Sequence, residues 1–422
     1  MRVLIVNTSE KTGGAAVAAH RLMDALNSNG VKAKMLVRDK ESDKLTVAAL
    51  PSSWKLQWHF LWERFCIWLH LHLRREHLFE IDIANAGTDI TKLREFQEAD
   101  VIHLHWINQG MLSLKDIRKI LTSGKRVVWT MHDMWPATAI CHLTFDCRHF
   151  ETHCKQCRLL PNGGSTNDLA AKIWEKKQRT LEGQRVSFVA CSQWLAGEAK
   201  KSALLKGEQI TSIPNPIDTR LYHPLNKQEV RQKLGLPINK HLILFVSQRA
   251  TNPYKGMQYL SEACHLLAKQ YPETQQNTEI VILGGHAEEV TTQLPFKSHP
   301  LGYINDRQQI ISTYNAADVF VLPSLSENLP NTIMEAMACG VPCVGFKVGG
   351  VPEMIDHLEN GYVADYRNAT DLAKGIHWAL DEEADTEKVH KACLAKVAHN
   401  YSQQSVAQRY IEIYETANTP RQ

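Results

Sequence analysis

The strongest constraint on the fold is an alternation. Short runs of Val, Ile and Leu are each followed by a stretch of helical spacing, in two sets parted by prolines. Residues 2–7, 31–37, 100–105, 126–131 and 186–190 read as strands, with helix-like spacing over 15–29, 114–123 and 167–182. A second set has strands near 241–247, 279–284, 318–322 and 341–345, and helices near 256–270, 307–316, 331–339 and 369–382. Near-continuous apolar strands belong to parallel sheets covered by helices on both faces. Ile213-Pro214-Asn215-Pro216-Ile217-Asp218 reads as the linker, because proline suits neither a helix interior nor a ladder. The expectation is α/β: two doubly wound, Rossmann-like parallel-sheet domains, 1–213 and 214–400, facing an interdomain cleft. Ligands of such sheets bind beyond the carboxyl ends of the strands.

Length agrees, since 422 residues make two or three domains at roughly 150 each. With 44% apolar and 22% charged residues, the chain is neither disordered, collagenous nor a coiled coil. A net charge of +3 gives no reason to expect nucleic acid. The N-terminus, Met1-Arg2-Val3-Leu4-Ile5-Val6, reads as a first strand rather than a signal peptide. No apolar run reaches the ~18 residues of a membrane span. A cytoplasmic chain with reduced cysteines is expected.

The richest segment runs from Pro323 to Gly340. A strand ends at Pro323, a polar loop carries Glu327, and Pro330 is suited to the first position of a helix over 331–339. The amides of Asn331 and Thr332 would then form an anion site fit for a diphosphate. Glu327 and Glu335, eight positions apart, are acceptors able to grip sugar hydroxyls; Glu335 alone also fits an ordinary first-turn carboxylate. Arg249 and Lys255 follow another strand end, with Gly256 permitting a close turn, and would neutralise a leaving diphosphate. Gly13-Gly14 lies between the first strand and helix, where backbone can approach a ligand.

The Glu-x7-Glu spacing, the run Glu335-Ala-Met-Ala-Cys-Gly-Val-Pro342 and Gly349-Gly350-Val351-Pro352-Glu353 resemble the retaining glycosyltransferases of family 4, of GT-B fold, over nearly the whole chain. The resemblance implies that Glu327 contacts the donor sugar, Glu335 the ribose, and Arg249 and Lys255 the diphosphate. It places Gly13, Gly14, Asn328, Leu329, Asn331 and Thr332 around the donor and His132 beside the sugar. Glu327, His132, Arg249 and Lys255 form the catalytic set. This chain has Asn328-Leu329-Pro330 where many relatives have Gly-Phe-Gly, and Pro330 supplies no N–H. The terminal segment 401–422 is similar to the helix that crosses back onto the first domain in this fold. The implied reaction moves a sugar from a UDP- or GDP-sugar to a glycan or lipid-linked glycan acceptor and releases the nucleoside diphosphate, without a catalytic cofactor. No Asp-x-Asp occurs, which argues against the metal-dependent donor site of the other common transferase fold. A nucleotide-sugar epimerase and a non-catalytic sugar-nucleotide-binding scaffold are the alternatives.

Cys141, Cys147, Cys154 and Cys157 could close a tetrahedral structural zinc site, pair as disulfides, or pack as reduced thiols. This insert, with His103–Asn108 and Trp129–Trp135, resembles a subgroup of colanic-acid and exopolysaccharide glycosyltransferases, implying work at the inner face of the cytoplasmic membrane. Over 54–75, Trp54, Trp58, Trp62, Phe65, Trp68 and Leu69 recur at helical spacing with basic neighbours, which suits either a membrane-surface helix or a packed core face.

Overall fold

The computed structural model describes residues 1–51, 54–381 and 386–416. The chain forms two compact units, Met1–Pro216 with Val406–Gln422, and Ile217–Ser405. The first holds strands β1 (Arg2–Ser9), β2 (Lys32–Asp39), β3 (Val47–Ala49), β4 (Val101–Leu104), β5 (Arg126–Met131), β6 (Ser187–Ala190) and β7 (Gln209–Ser212), in the order β3-β2-β1-β4-β5-β6-β7. The second holds β8 (His241–Arg249), β9 (Thr278–Gly285), β10 (Ser298–Gly302), β11 (Val319–Leu322), β12 (Cys343–Phe346) and β13 (Gly361–Ala364), in the order β10-β9-β8-β11-β12-β13. Every strand pairing in both sheets is parallel. Both sheets are doubly wound α/β sheets of Rossmann type, as the apolar strands require.

Alternation along β1 shows why. Val3 and Ile5 pack in one layer with Leu22, Met35 and Tyr410, while Leu4 and Val6 pack in the other with Leu36, Ile102 and Trp129. A strand apolar on both faces is stable only when helices cover both. Polar caps start the covering helices: Ser113 closes a reciprocal box with Asp116, and Asp168, Ser192, Asn226 and Asp306 each accept an amide of the first turn.

Within 401–422 the helix is Gln403–Thr416, and residues 417–422 lie outside the described ones, as does 382 at the end of the helix expected over 369–382. Tyr410 and Tyr414 are buried in the first unit, where the Tyr414 hydroxyl lies 2.7 Å from His103 Nδ1 and the Tyr410 hydroxyl 2.9 Å from Thr130. Two expectations are corrected. Pro330 is not the first helical residue: its backbone is extended at the N-cap, and the helix is Asn331–Ala338. The aromatic side chains over 54–75 are not a core face: the helix Trp54–His70 buries Glu63, Arg64 and Ile67 and turns Trp54, Trp58, Trp62 and Phe65 to solvent. Among the described residues no helix is long and apolar enough to cross a membrane.

Candidate active site

In the second unit the loops after β8, β11 and β12 lock onto one another. Lys255 ends the turn Pro253–Lys255, and its Nζ donates to Glu327 Oε1 at 2.5 Å. The backbone places both partners. Gly256 has φ +73°, and a Cβ there would stand 1.9 Å from the Pro323 carbonyl oxygen, so only glycine lets this turn lie against the strand end. Gly349 has φ +54°, and its Cβ would meet the Glu327 carbonyl oxygen at 1.7 Å. Beside it the Gly350 amide donates to the Asn328 carbonyl at 2.8 Å, so the Gly-Gly-Val-Pro turn is the seat of the Glu327 loop. The Leu325 amide donates to the Tyr254 carbonyl at 2.8 Å, and the Tyr366 hydroxyl to the Leu325 carbonyl at 3.0 Å.

Arg249, at the exposed end of β8, donates through Nε to Thr251 Oγ1 at 3.0 Å; among the described residues its guanidinium meets no carboxylate. Asn331 and Thr332 occupy the first two helical positions, half-buried, with no side-chain cap on the helix start. Such a start favours an anion. Asn328 is half-buried beside Glu327, but the Leu329 side chain is buried at 7% exposure, which leaves Leu329 only its backbone for a ligand. Glu335 is buried at 9% and accepts from the Tyr314 hydroxyl at 2.8 Å, so one of its oxygens is committed to the protein. Sequence reading missed Tyr314, which helical spacing over 307–316 assigns to packing, and Tyr366, which lies in a loop outside every expected element.

The first unit carries the other expected residues. Gly13, at φ +92°, is the exposed N-cap of the helix Gly14–Ser28, where glycine is needed for the backbone and not for room, since nothing lies within 4 Å of its Cβ direction. His132 follows β5. Its Nε2 lies 2.9 Å from His105 Nδ1 and its Nδ1 3.3 Å from Cys191 Sγ, and burial pulls its pKa down to about 4. Both ring nitrogens are therefore engaged within the protein, and the ring is neutral near pH 7. His103 and His105, two positions apart and so on the same face of the chain at β4, are both buried, their ring centroids 4.2 Å apart.

A network that sequence reading missed lies next to it. Asp133 Oδ2 accepts from Trp106 Nε1 at 3.0 Å and pairs with His142 Nδ1 at 2.8 Å, while His142 Nε2 meets Asp82 Oδ2 at 2.6 Å. Arg64 bonds the far oxygen of Asp82. Burial alone would lower the His142 pKa, but Asp133 and then Asp82 overcome it and hold it up at about 10, so the ring is an imidazolium between two carboxylates. Lys177 is buried over the Trp135 ring, donates to the Trp135 carbonyl at 2.5 Å and the Thr138 carbonyl at 3.0 Å, and is pulled down by burial to about 7.

Both halves match known families. A family model described as Glycosyltransferase Family 4 matches residues 12–221, and one described as Glycosyl transferases group 1 matches residues 226–393. The chain belongs to the family 4 glycosyltransferases. It is 26% identical over 225 residues to a D-inositol 3-phosphate glycosyltransferase of Corynebacterium efficiens, covering 50% of this chain and 52% of the relative. It is 28% identical over 204 residues to an N,N'-diacetylbacillosaminyl-diphospho-undecaprenol alpha-1,3-N-acetylgalactosaminyltransferase of Campylobacter jejuni, covering 47% of this chain and 52% of that one. The chain thus spans about half the length of these curated relatives. In fold it is similar to the Anabaena protein Alr3699/HepE, solved in complex with UDP, with a TM-score of 0.63, 18% identity and coverage of 99% and 100% of the two chains.

In this glycosyltransferase all four cysteines of the insert are free thiols. They lie near enough to feel one another's charge, and burial, the larger cause, raises Cys141 to about 11 and Cys157 to about 12. Among the described residues no three His, Cys, Asp or Glu side chains are grouped to hold a metal ion. Cys154 and Cys157 pack on the first unit's core. The insert is tied by Arg158 to the Thr144 carbonyl at 2.8 Å, by the Cys157 amide to Asp168 at 2.9 Å, and by Arg148 to Glu198.

Proposed function

We propose that this glycosyltransferase moves a sugar from a nucleoside diphosphate sugar to an acceptor hydroxyl with retention of anomeric configuration. The observation that carries the reading is the Lys255–Glu327 pair, held by Gly256 and Gly349, beside an Arg249 guanidinium that meets no carboxylate among the described residues. Cations and an acceptor-only carboxylate at the carboxyl ends of neighbouring strands suit a diphosphate joined to a polyol. Arg249, Lys255 and the helix start at Asn331 would carry the charge growing on the departing phosphate, and Glu327 would hold sugar hydroxyls. The C1–O bond to the diphosphate breaks as the acceptor oxygen bonds C1 from the same face. The acceptor proton passes to the departing phosphate oxygen, so no side chain need act as base. With its nitrogens held by His105 and Cys191, His132 would border the sugar as a neutral ring rather than as a proton carrier.

UDP bound by the Anabaena fold relative supports a uridine donor over a guanosine one. The undecaprenol diphosphate in the Campylobacter relative's name supports a lipid-linked glycan acceptor at the inner membrane face, as does the insert's likeness to exopolysaccharide enzymes. Epimerisation is not favoured, because both halves match glycosyltransferases. The test is Glu327→Gln. Transfer should fall by about a hundredfold or more, while nucleoside diphosphate affinity should rise a few-fold as Lys255 is released from its partner. Transfer near the wild-type rate would overturn the reading. Nucleotide binding with no turnover by the wild-type chain on any lipid-linked or free glycan would favour the scaffold.

A further inference from the structure

We infer that the outer face of the helix Trp54–His70 is a docking surface for the interface of a bilayer bearing anionic headgroups. The inference adds to the proposed reaction and does not depend on it. A helix with one side in a core ordinarily turns polar residues outward. Here Ile67 and Arg64 face inward, and the Glu63 carboxylate is spent inside on the amides of Ile83 and Ala84 at 2.9 and 2.6 Å. Outward stand Trp54 at 73% exposure, Trp58 at 53%, Trp62 at 41%, Phe65 at 45% and Leu69 at 47%, an i, i+4, i+8 stripe with Phe65 and Leu69 continuing it. The rings are already arranged: Trp58 stacks on Trp62 at 6.1 Å, and Trp62 lies 6.0 Å from Phe65.

Charge chooses the occupant. Glu63 is the sole acidic residue over 54–70 and is buried, so the outer face has no anion. Just beyond the helix, Arg74 and Arg75 are exposed, and among the described residues neither side chain has a partner. Indole rings favour the headgroup level, where an apolar body and an N–H are both satisfied, and unpaired arginines beside them favour anionic lipid. With 17 residues the helix is about 26 Å long, and among the described residues no helix is apolar enough to cross a membrane, so it lies on the surface rather than spanning it.

The test is co-sedimentation of the full chain with phosphatidylcholine vesicles, with and without phosphatidylglycerol, and with no donor or acceptor present. Wild type should bind the anionic vesicles more tightly and lose that margin in high salt. Trp58→Ser with Trp62→Ser and Phe65→Ser should lower the partition by more than about tenfold on both compositions. Arg74→Ser with Arg75→Ser should lower it roughly thirtyfold on anionic vesicles alone. Both variants should keep the wild-type melting temperature, since the altered side chains are exposed. Wild type that ignores anionic vesicles, or a triple variant that binds as well as wild type, would overturn the inference. A wild-type dimer that the triple variant turns into a monomer, with no vesicle binding by either, would assign the face to a second copy of the chain. Loss of nucleotide binding with vesicle binding intact would count against the proposed reaction only.

Discussion

His142 stands between Asp82 and Asp133 with both ring nitrogens bonded, and its protonation is part of the fold. The folded value is raised to about 10 from an ordinary 6.5, so the stability it supplies is complete below about pH 6.5 and is lost as pH rises through 10. Lys177 acts in the opposite sense: pulled down to about 7 from 10.5, it costs stability below pH 7, and the cost fades as pH climbs. Comparing wild type with His142→Gln cancels the lysine effect. The stability difference by urea denaturation should be large at pH 7 and nearly gone at pH 10; a difference independent of pH would show that His142 is neutral in the fold. Through Asp133 this cation also fixes the Trp106 indole, so it orders the strand ends of the first unit next to His132. Little in the sequence reveals it, because Asp82 lies on a different segment from Asp133 and His142, and only the fold brings it to them.

At the scale of elements, the strands legible in the sequence and those that were not divide by position in the sheet. The inner strands β1, β2, β4, β5, β6, β8, β9, β11 and β12 carry runs of buried apolar residues, and each is matched by an expected run. The four strands that apolar runs do not announce, β3, β7, β10 and β13, are the four sheet edges. An edge strand is covered less completely and needs no continuous apolar run: β10 is Ser-His-Pro-Leu-Gly, half-buried throughout, with a proline that an inner strand would exclude. The loops of the candidate site are legible for a different reason. Glycine at φ above zero and charge at a strand end leave marks in sequence, whereas the Tyr314 anchor resembles a core residue and the Tyr366 anchor an ordinary exposed loop residue. The seat made by Gly349 gives a prediction at this scale. Gly349→Ala places a methyl against the Glu327 carbonyl in a left-handed backbone, which should cost about 1–3 kcal/mol of stability and cut transfer more than nucleotide binding, because Arg249 stands on another loop. Thermal melts and steady-state kinetics would check this, and wild-type kinetics would mean that the Glu327 loop does not rest on that turn.

Across the whole molecule the two units have the same kind of sheet but carry different chemistry. The second unit holds the exposed Arg249 and the Lys255–Glu327 pair, the groups suited to a diphosphate and a sugar. The first holds buried histidines, two of them bonded to each other, a Gly-Gly helix start and an aromatic outer helix. That division fits a donor held by the second unit and an acceptor met by the first. Calorimetric titration of UDP, GDP and ADP into wild type and into Arg249→Ala with Lys255→Ala tests the donor site most directly. One nucleotide should bind wild type selectively, and the double variant, folded as before, should lose about a hundredfold or more of that affinity, as for two charge-assisted contacts. Equal affinity in the two proteins would contradict the proposed role of these cations, and no nucleotide binding by wild type would contradict the donor site itself.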